Sequence, residues 1–310
     1  MSDEDTSHPS LAGRVAVVTG GGRGIGAAIA HLLAAEGASV VVNDYGVAVD
    51  GTTPDSAVAR EVVEKITTAG GQAIAHAGDI AEFDQAGELL DIAIRTYGKL
   101  DVVVNVAGIL RDRMIFNMVP DEWDPVIRVH MGGTFNTMRH AAAHWRGLRN
   151  PDGHYRIINF TSDSGLFGNP GQPSYAAAKL GIVGLTLSAS HTLYRYGVRV
   201  NAISPTTVTT RMVDTVPGLE IPPDDIRTPE NVAPLVAYLA GERSDWCTGR
   251  VLGASGYRVI LYSNPQIQRE IIGTQPWDVE RLGPQLEQHF RPVPNGAEGR
   301  YGERGVPAHG

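Results

Sequence analysis

Short runs of apolar, largely β-branched residues recur along the chain, with longer stretches of mixed polarity between them. Residues 14–19 (RVAVVT), 39–43 (SVVVN), 101–105 (DVVVN), 155–161 (YRIINFT) and 198–204 (VRVNAIS) are apolar at successive rather than alternate positions. That is the pattern of strands covered on both faces. Residues 73–76 and 251–253 are weaker strand candidates. Residues 26–36, 54–69, 82–97, 121–146, 173–196 and 229–240 have helical composition, several opened by Asp, Ser or Pro. Alternating strands and helices predict an α/β fold, a doubly wound parallel sheet with right-handed crossovers and helices on both faces. It spans residues 11–260 as a single domain.

Three segments fall outside that rhythm. Residues 1–10 are acidic and polar and read as a disordered tail, and residues 46–53 read as a surface loop. From Asn264 onward Pro, Gly, Gln and Arg dominate. Residues 261–310 are therefore expected to form a C-terminal extension, an arm over 261–290 that packs on the domain or on a neighbouring subunit, then a flexible tail.

Composition narrows the partners. The 310 residues carry 26 Lys and Arg against 34 Asp and Glu, a net charge of −8, which argues against nucleic acid or an anionic membrane as the main partner. No apolar run reaches the roughly 18 residues that span a bilayer, and the start of the chain is unlike a targeting segment. A lone cysteine, Cys247, can form neither an intramolecular disulfide nor a thiolate-rich metal site, which fits a reducing cytoplasm.

Candidate chemistry begins after the first strand, at Thr19-Gly20-Gly21-Gly22-Arg23-Gly24-Ile25-Gly26. Glycines there let backbone N–H groups approach a pyrophosphate, whose charge the following helix N-terminus favours. Gly20, Arg23, Gly24, Ile25 and Gly26 are thus expected to bind a dinucleotide. Asp44 stands at the end of the second strand, eighteen residues beyond Gly26. A carboxylate there accepts the ribose hydroxyls of NAD and repels the 2′-phosphate of NADP. Arg23 could instead pair with that phosphate, so the expected cofactor is NAD, with NADP as the alternative.

Tyr175 and Lys179, at i and i+4, share one face of a predicted helix. A tyrosine is a poor acid–base group at neutral pH unless a cation stabilises its phenolate, and Lys179 supplies one. The chain has only three lysines, so the pairing is not a common coincidence. Ser162 lies thirteen residues before Tyr175 at a C-terminal strand end, where ligands of doubly wound sheets bind. Ser164 and Thr161 could take its place on sequence alone.

Taken together, Thr19–Gly26, Asn105-x-Ala107-Gly108, Ser162, Tyr175-x-x-x-Lys179 and Asn201-x-x-Ser204-Pro205 resemble the short-chain dehydrogenase/reductase family over about 250 residues. The branch most resembled is the (3R)-hydroxyacyl-CoA dehydrogenase module of peroxisomal multifunctional enzymes, also called type-4 17β-hydroxysteroid dehydrogenase. The likeness is carried by residues 42–44, 107–113, 128–130 and 232–236. It implies a Rossmann-like fold and an NAD-dependent oxidoreductase interconverting a secondary alcohol and a ketone, on a 3-hydroxyacyl-CoA or steroid-derived substrate. The alternative is an NADPH-dependent 3-oxoacyl carrier-protein or general ketone reductase, and a non-catalytic nucleotide-binding scaffold ranks below both.

By the same resemblance Tyr175 is the general acid/base, Ser162 binds the substrate oxygen, and Lys179 holds the nicotinamide ribose while lowering the Tyr175 pKa. Asp79 and Ile80 contact adenine, Asn105, Ala107 and Gly108 the adenosine side, and Pro205 and Val208 the carboxamide. The chain departs from the family pattern at three places: His130 stands where an asparagine usually completes a proton relay, Val106 replaces a second asparagine, and Thr206 replaces a glycine. His130 is carried as a candidate catalytic residue against the reading of a buried structural histidine. Arg111, Arg113 and Arg211 are candidates for an acyl-CoA. His140 and His144 have zinc-pair spacing without a third ligand nearby, so no metal is expected. The long helices over 121–146 and 173–196 are apolar enough to pair with copies of themselves, implying a homodimer or homotetramer. At this length the hydratase and lipid-carrier modules of the multifunctional enzymes do not fit, which implies a free-standing dehydrogenase.

Overall fold

Eight strands form one sheet in the order β3-β2-β1-β4-β5-β6-β7-β8. The structure is a computed structural model that describes residues 10–48, 52, 55–205 and 226–293. Residues 1–9, Val208, Arg211 and most of the tail expected to be flexible lie outside these residues. The strands are β1 (Val15–Thr19), β2 (Ser39–Asn43), β3 (Gln72–His76), β4 (Val102–Asn105), β5 (Tyr155–Phe160), β6 (Val198–Pro205), β7 (Val251–Ser255) and β8 (Arg258–Tyr262). Pairing is parallel from β3 through β7, as continuous apolar runs require. β8 departs from the all-parallel expectation by folding back antiparallel on β7. A hairpin with Gly256 at φ +53° makes this reversal possible.

Helices α1 (Gly24–Ala35), α2 (Ala57–Thr68) and α8 (Ala233–Ala240) cover one face, and α3 (Phe83–Tyr97), α5 (Gly133–Leu148) and α7 (Pro173–Leu193) the other. Because side chains alternate along a strand, Val18 and Val42 join Ile29, Leu33 and Val236 on the first face. Val17 and Val41 join Leu89 and Trp145 on the second. Trp145 is fully buried, stacks on Tyr155 at 5.0 Å, and donates its indole N–H to the Leu100 carbonyl at 2.8 Å.

One predicted helix is broken. Residues 121–146 divide into α4 (Pro120–Ile127), a π-helical turn over Arg128–Gly132, and α5. The wide turn brings His130 inward beneath the β4 exit, where its Nε2 lies 2.8 Å from the Ile109 carbonyl. A short helix, α6 (Asp163–Phe167), follows β5.

The chain divides into two compact units, Met1–Tyr262 and Ser263–Gly310. The second contains α9 (Val279–His289), started by Asp278, whose side chain accepts from the Arg281 N–H at 2.9 Å.

Candidate active site

A cavity of about 640 Å³ opens beyond the C-terminal ends of β1, β2, β4 and β5. Its walls come from the glycine loop, the loop after β2, the β4 exit, the π-helical turn and α7. Arg23 precedes α1 without capping it through its side chain, so the first-turn N–H groups of the helix remain available to an anion. A dinucleotide pyrophosphate fits this cradle because side chains are absent from it. A Cβ on Gly26 would lie 2.0 Å from the Gly20 carbonyl oxygen, and one on Gly20, at φ +63°, would lie 2.7 Å from the Ala107 Cα.

Asp44 reaches the cavity from the end of β2. Its Oδ2 accepts from the Gly22 N–H at 2.9 Å and its Oδ1 from the Gly46 N–H at 2.7 Å. The carboxylate is therefore fixed in orientation. Arg23 donates to the Val47 carbonyl at 3.3 Å, which ties the glycine loop to the segment after β2. Asp79 lines the cavity and is held by Arg128 at 2.8 Å, while Ile80 is buried beside it.

Ala107, Gly108 and Pro205 line the cavity, but the Asn105 side chain does not. Asn105 lies below the floor, donating to Asn159 at 2.9 Å and accepting from the Thr137 hydroxyl at 2.7 Å. The Asn105 side chain thus forms an internal lock between β4, β5 and α5. Asn159 faces Asn105 in the strand register, a pairing that sequence without topology could not reveal.

Tyr175 and Lys179 both line the deep end of the cavity. Lys179 Nζ donates to the Phe160 carbonyl at 2.8 Å and sits 5.5 Å from the Tyr175 ring centroid. The Ser162 hydroxyl lowers the Tyr175 pKa and caps α6, its Oγ accepting from the Ser164 N–H at 3.2 Å. Sequence alone left Thr161 and Ser164 as rivals of Ser162. Thr161 donates its hydroxyl to the Lys179 carbonyl at 2.8 Å, and Ser164 donates to Gln172 at 2.8 Å.

Electrostatically the site differs from the expected picture. Burial pushes the Tyr175 phenol up to about 12, opposed by the Ser162 hydrogen bond, and pushes the Lys179 ammonium down to about 7. Both groups lose water on burial, which disfavours the charged form of each. His130 is fully buried and burial, then the nearby Lys179 charge, hold it well below its ordinary value. Its Nδ1 has no hydrogen-bond partner and its ring meets Tyr175 edge-on at 5.1 Å.

Two further residues escaped the sequence reading. Arg128 grips both Asp79 and Glu82 at 2.8 Å. Asp163 accepts from the Ser204 and Tyr262 hydroxyls, each at 2.9 Å, so β8 helps pin the helix that begins after Ser162. Of the zinc-spaced pair, the His140 ring packs tilted against Phe83 and its Nε2 lies 3.0 Å from the Phe83 carbonyl. Among the described residues no helix is long and apolar enough to cross a membrane.

The family model described as short chain dehydrogenase matches residues 14–218, a span that holds the glycine loop, Ser162, Tyr175 and Lys179. The chain belongs to the short-chain dehydrogenase family. It is an oxidoreductase of a family that uses NAD(P). Among its relatives is a hydroxyacyl-CoA dehydrogenase of Mycobacterium tuberculosis, 43% identical over 298 residues, covering 93% of this chain and 92% of the relative. A peroxisomal hydratase-dehydrogenase-epimerase of Neurospora crassa is 38% identical over 80% of this chain, which corresponds to 26% of that larger enzyme. The crystal structure of a short chain dehydrogenase from Mycobacterium avium superposes with a TM-score of 0.83 at 44% identity, covering 92% of this chain and 97% of that one. The family resemblance and the multifunctional-enzyme branch expected from residues 42–44 and 107–113 both agree with these relatives.

Proposed function

We propose that this short-chain dehydrogenase interconverts a secondary alcohol and a ketone with NAD, on a 3-hydroxyacyl-CoA or a steroid-derived acyl-CoA. The observation that carries the reading is that Tyr175 and Lys179 line the same cavity as the glycine loop, with the Ser162 hydroxyl acting on the Tyr175 phenol. The glycine loop, Asp44, Asp79, Ile80, Ala107, Gly108 and Pro205 would hold the dinucleotide. When bound, the nicotinamide supplies the hydride acceptor or donor.

The chain's own residues manage the proton and the geometry. Ser162 orients the substrate oxygen toward the Tyr175 hydroxyl. In ketone reduction Tyr175 donates its proton, which a phenol held near 12 retains at neutral pH. In alcohol oxidation its phenolate accepts the substrate proton, and a proton on Lys179 stabilises that phenolate. His130 serves by packing: its imidazole holds the Ile109 backbone, which shapes the substrate side of the cavity.

The NAD preference is supported by the Asp44 carboxylate, which lines the cavity at the end of β2 and is fixed in orientation, since a charge there disfavours a 2′-phosphate. One observation favours the NADPH-dependent reductase instead: Arg23 and Lys65 line the same cavity. The substrate class is supported by the hydroxyacyl-CoA dehydrogenase relative and by Arg111, which lines the cavity and donates to the Asp121 carbonyl at 3.0 Å. Arg113 contributes less, being neutralised by Glu122 at 2.7 Å. Exposed Phe135 on α5 and Leu180 on α7 support a homodimer or homotetramer, and the single cysteine a cytoplasmic setting. Tyr175→Phe is expected to lower turnover by about 10²–10⁴-fold while NAD binding persists, and retained turnover would overturn the assignment.

A further inference from the structure

Two loops meet at the mouth of the Tyr175 site, one leaving β4 and one joining α6 to α7. The Arg113 N–H donates to the Gly171 carbonyl at 2.7 Å, and Gln172 Nε2 donates to Asp112 Oδ2 at 2.8 Å. At its other end the Gln172 Oε1 accepts from the Ser164 hydroxyl at 2.8 Å and from Asn169 at 2.9 Å. The amide cannot flip: its nitrogen faces a carboxylate, which only accepts, and its oxygen faces two donors.

Both ends of this chain of contacts reach residues of the proposed chemistry. Gln172 starts α7, its carbonyl accepting from the Ala176 N–H at 2.8 Å, so Tyr175 sits in the turn that Gln172 opens. Ser164 hydrogen-bonds Gln172 through its hydroxyl and Ser162 through its N–H. One side chain thereby joins the Ser162 turn, the Tyr175 helix and the β4 exit.

We propose that Gln172 and Asp112 are positioning residues for the reaction: Gln172 fixes Ser162 relative to Tyr175, and Asp112 orients that amide and acts on the phenol through its charge. This rests on Tyr175 being the acid–base group. The surroundings leave Asp112 an effective voice. Of its flanking cations, Arg113 pairs with Glu122, and Arg111 donates to the Asp121 carbonyl. Among the described residues the titratable groups at the phenol are Lys179 on the same helix, His130 from the π-helical turn and Asp112, while Asp163, next to Ser162 in the chain, is held by Ser204 and Tyr262. α4 packs the apolar Val126 and Ile127 into the cluster at Tyr175. The Asp112 charge disfavours the phenolate and so adds to the effect of burial.

The pH profile of kcat/KM for alcohol oxidation tests this. Asp112→Asn keeps an acceptor for Gln172 but removes the charge. Its ascending limb is expected to move to lower pH, giving about threefold faster turnover at a fixed pH on that limb, and less in high salt. Gln172→Ala is expected to lower kcat about tenfold with NAD affinity unchanged, and Asp112→Glu to restore the wild-type profile. A profile for Asp112→Asn superimposable on wild type, or unchanged kcat in Gln172→Ala, would overturn the proposal. Should Tyr175→Phe stay active, the acid–base assignment itself fails. With Tyr175→Phe inactive and the other variants like wild type, only the positioning role falls. NAD titration by protein fluorescence on each variant reports whether the cofactor site is intact.

Discussion

Gly26→Ala puts the cofactor cradle under direct strain. A Cβ at this position would stand 2.0 Å from the Gly20 carbonyl oxygen, 2.7 Å from its carbon and 3.0 Å from the Gly21 Cα. All three are backbone atoms of the phosphate loop, so no side chain can swing aside. α1 must withdraw from the loop, and overpacking of this kind costs about 1–3 kcal/mol. Alanine returns about 1 kcal/mol through its helix propensity. The net loss of about 0–2 kcal/mol in stability understates the effect on function, because a withdrawn helix also removes its N–H groups from the pyrophosphate. NAD affinity is expected to fall at least tenfold, about 1.4 kcal/mol. Fluorescence titration with NAD, paired with thermal melting, reads both quantities. Gly147→Ala is the control: its Cβ would meet nothing within 4 Å, and α5 is expected to gain about 0.5–1 kcal/mol. If Gly26→Ala bound NAD like wild type at an unchanged melting temperature, the loop would not be the cradle described.

Other expectations address charge. Lys179 titrates near 7 in the fold against an ordinary 10.5, so between these values the unfolded chain binds the extra proton and wild-type stability rises with pH. Relative to Lys179→Met the gain is up to about 1.4 kcal/mol per pH unit from pH ~7 to ~10, and chemical denaturation across that range would refute it by showing a flat difference. Tyr175 acts oppositely above pH ~10, where the fold keeps the proton that the unfolded chain loses, so Tyr175→Phe is expected to resist alkaline unfolding better than wild type. Asp245→Ala leaves buried Arg156 without the carboxylate that it contacts at 2.6 Å. Because Arg156 keeps the Gly241 carbonyl at 2.9 Å, the loss expected in a urea titration is about 2 kcal/mol rather than the larger cost of a wholly stranded charge.

The strands were legible because burial on both faces writes itself as uninterrupted Val and Ile, and the glycine loop because its context of strand and helix is local. Longer-range features were not. The 121–146 helix read as continuous since a π-helical turn leaves no gap in hydrophobic composition, yet that turn is what carries His130 under Ile109. β8 escaped because its exposed Val259 and Leu261 lie on an edge strand, whose alternation is weak over five residues. Ser162, Tyr175 and Lys179 could be named from spacing, but the mutual burial that lifts Tyr175 and depresses Lys179 depends on the packing of α4, α7 and the β4 exit. The Asn105 side-chain partner is hidden from the sequence for a related reason: only the register of β4 against β5 sets its amide against Asn159.

The most direct measurement is kcat/KM of the purified chain for a 3-hydroxyacyl-CoA with NAD and with NADP, followed by absorbance of the reduced nicotinamide. Turnover is expected with a clear preference for NAD that Asp44→Ala diminishes. Turnover confined to NADP, or none with any hydroxyacyl-CoA while simple ketones are reduced, would contradict it.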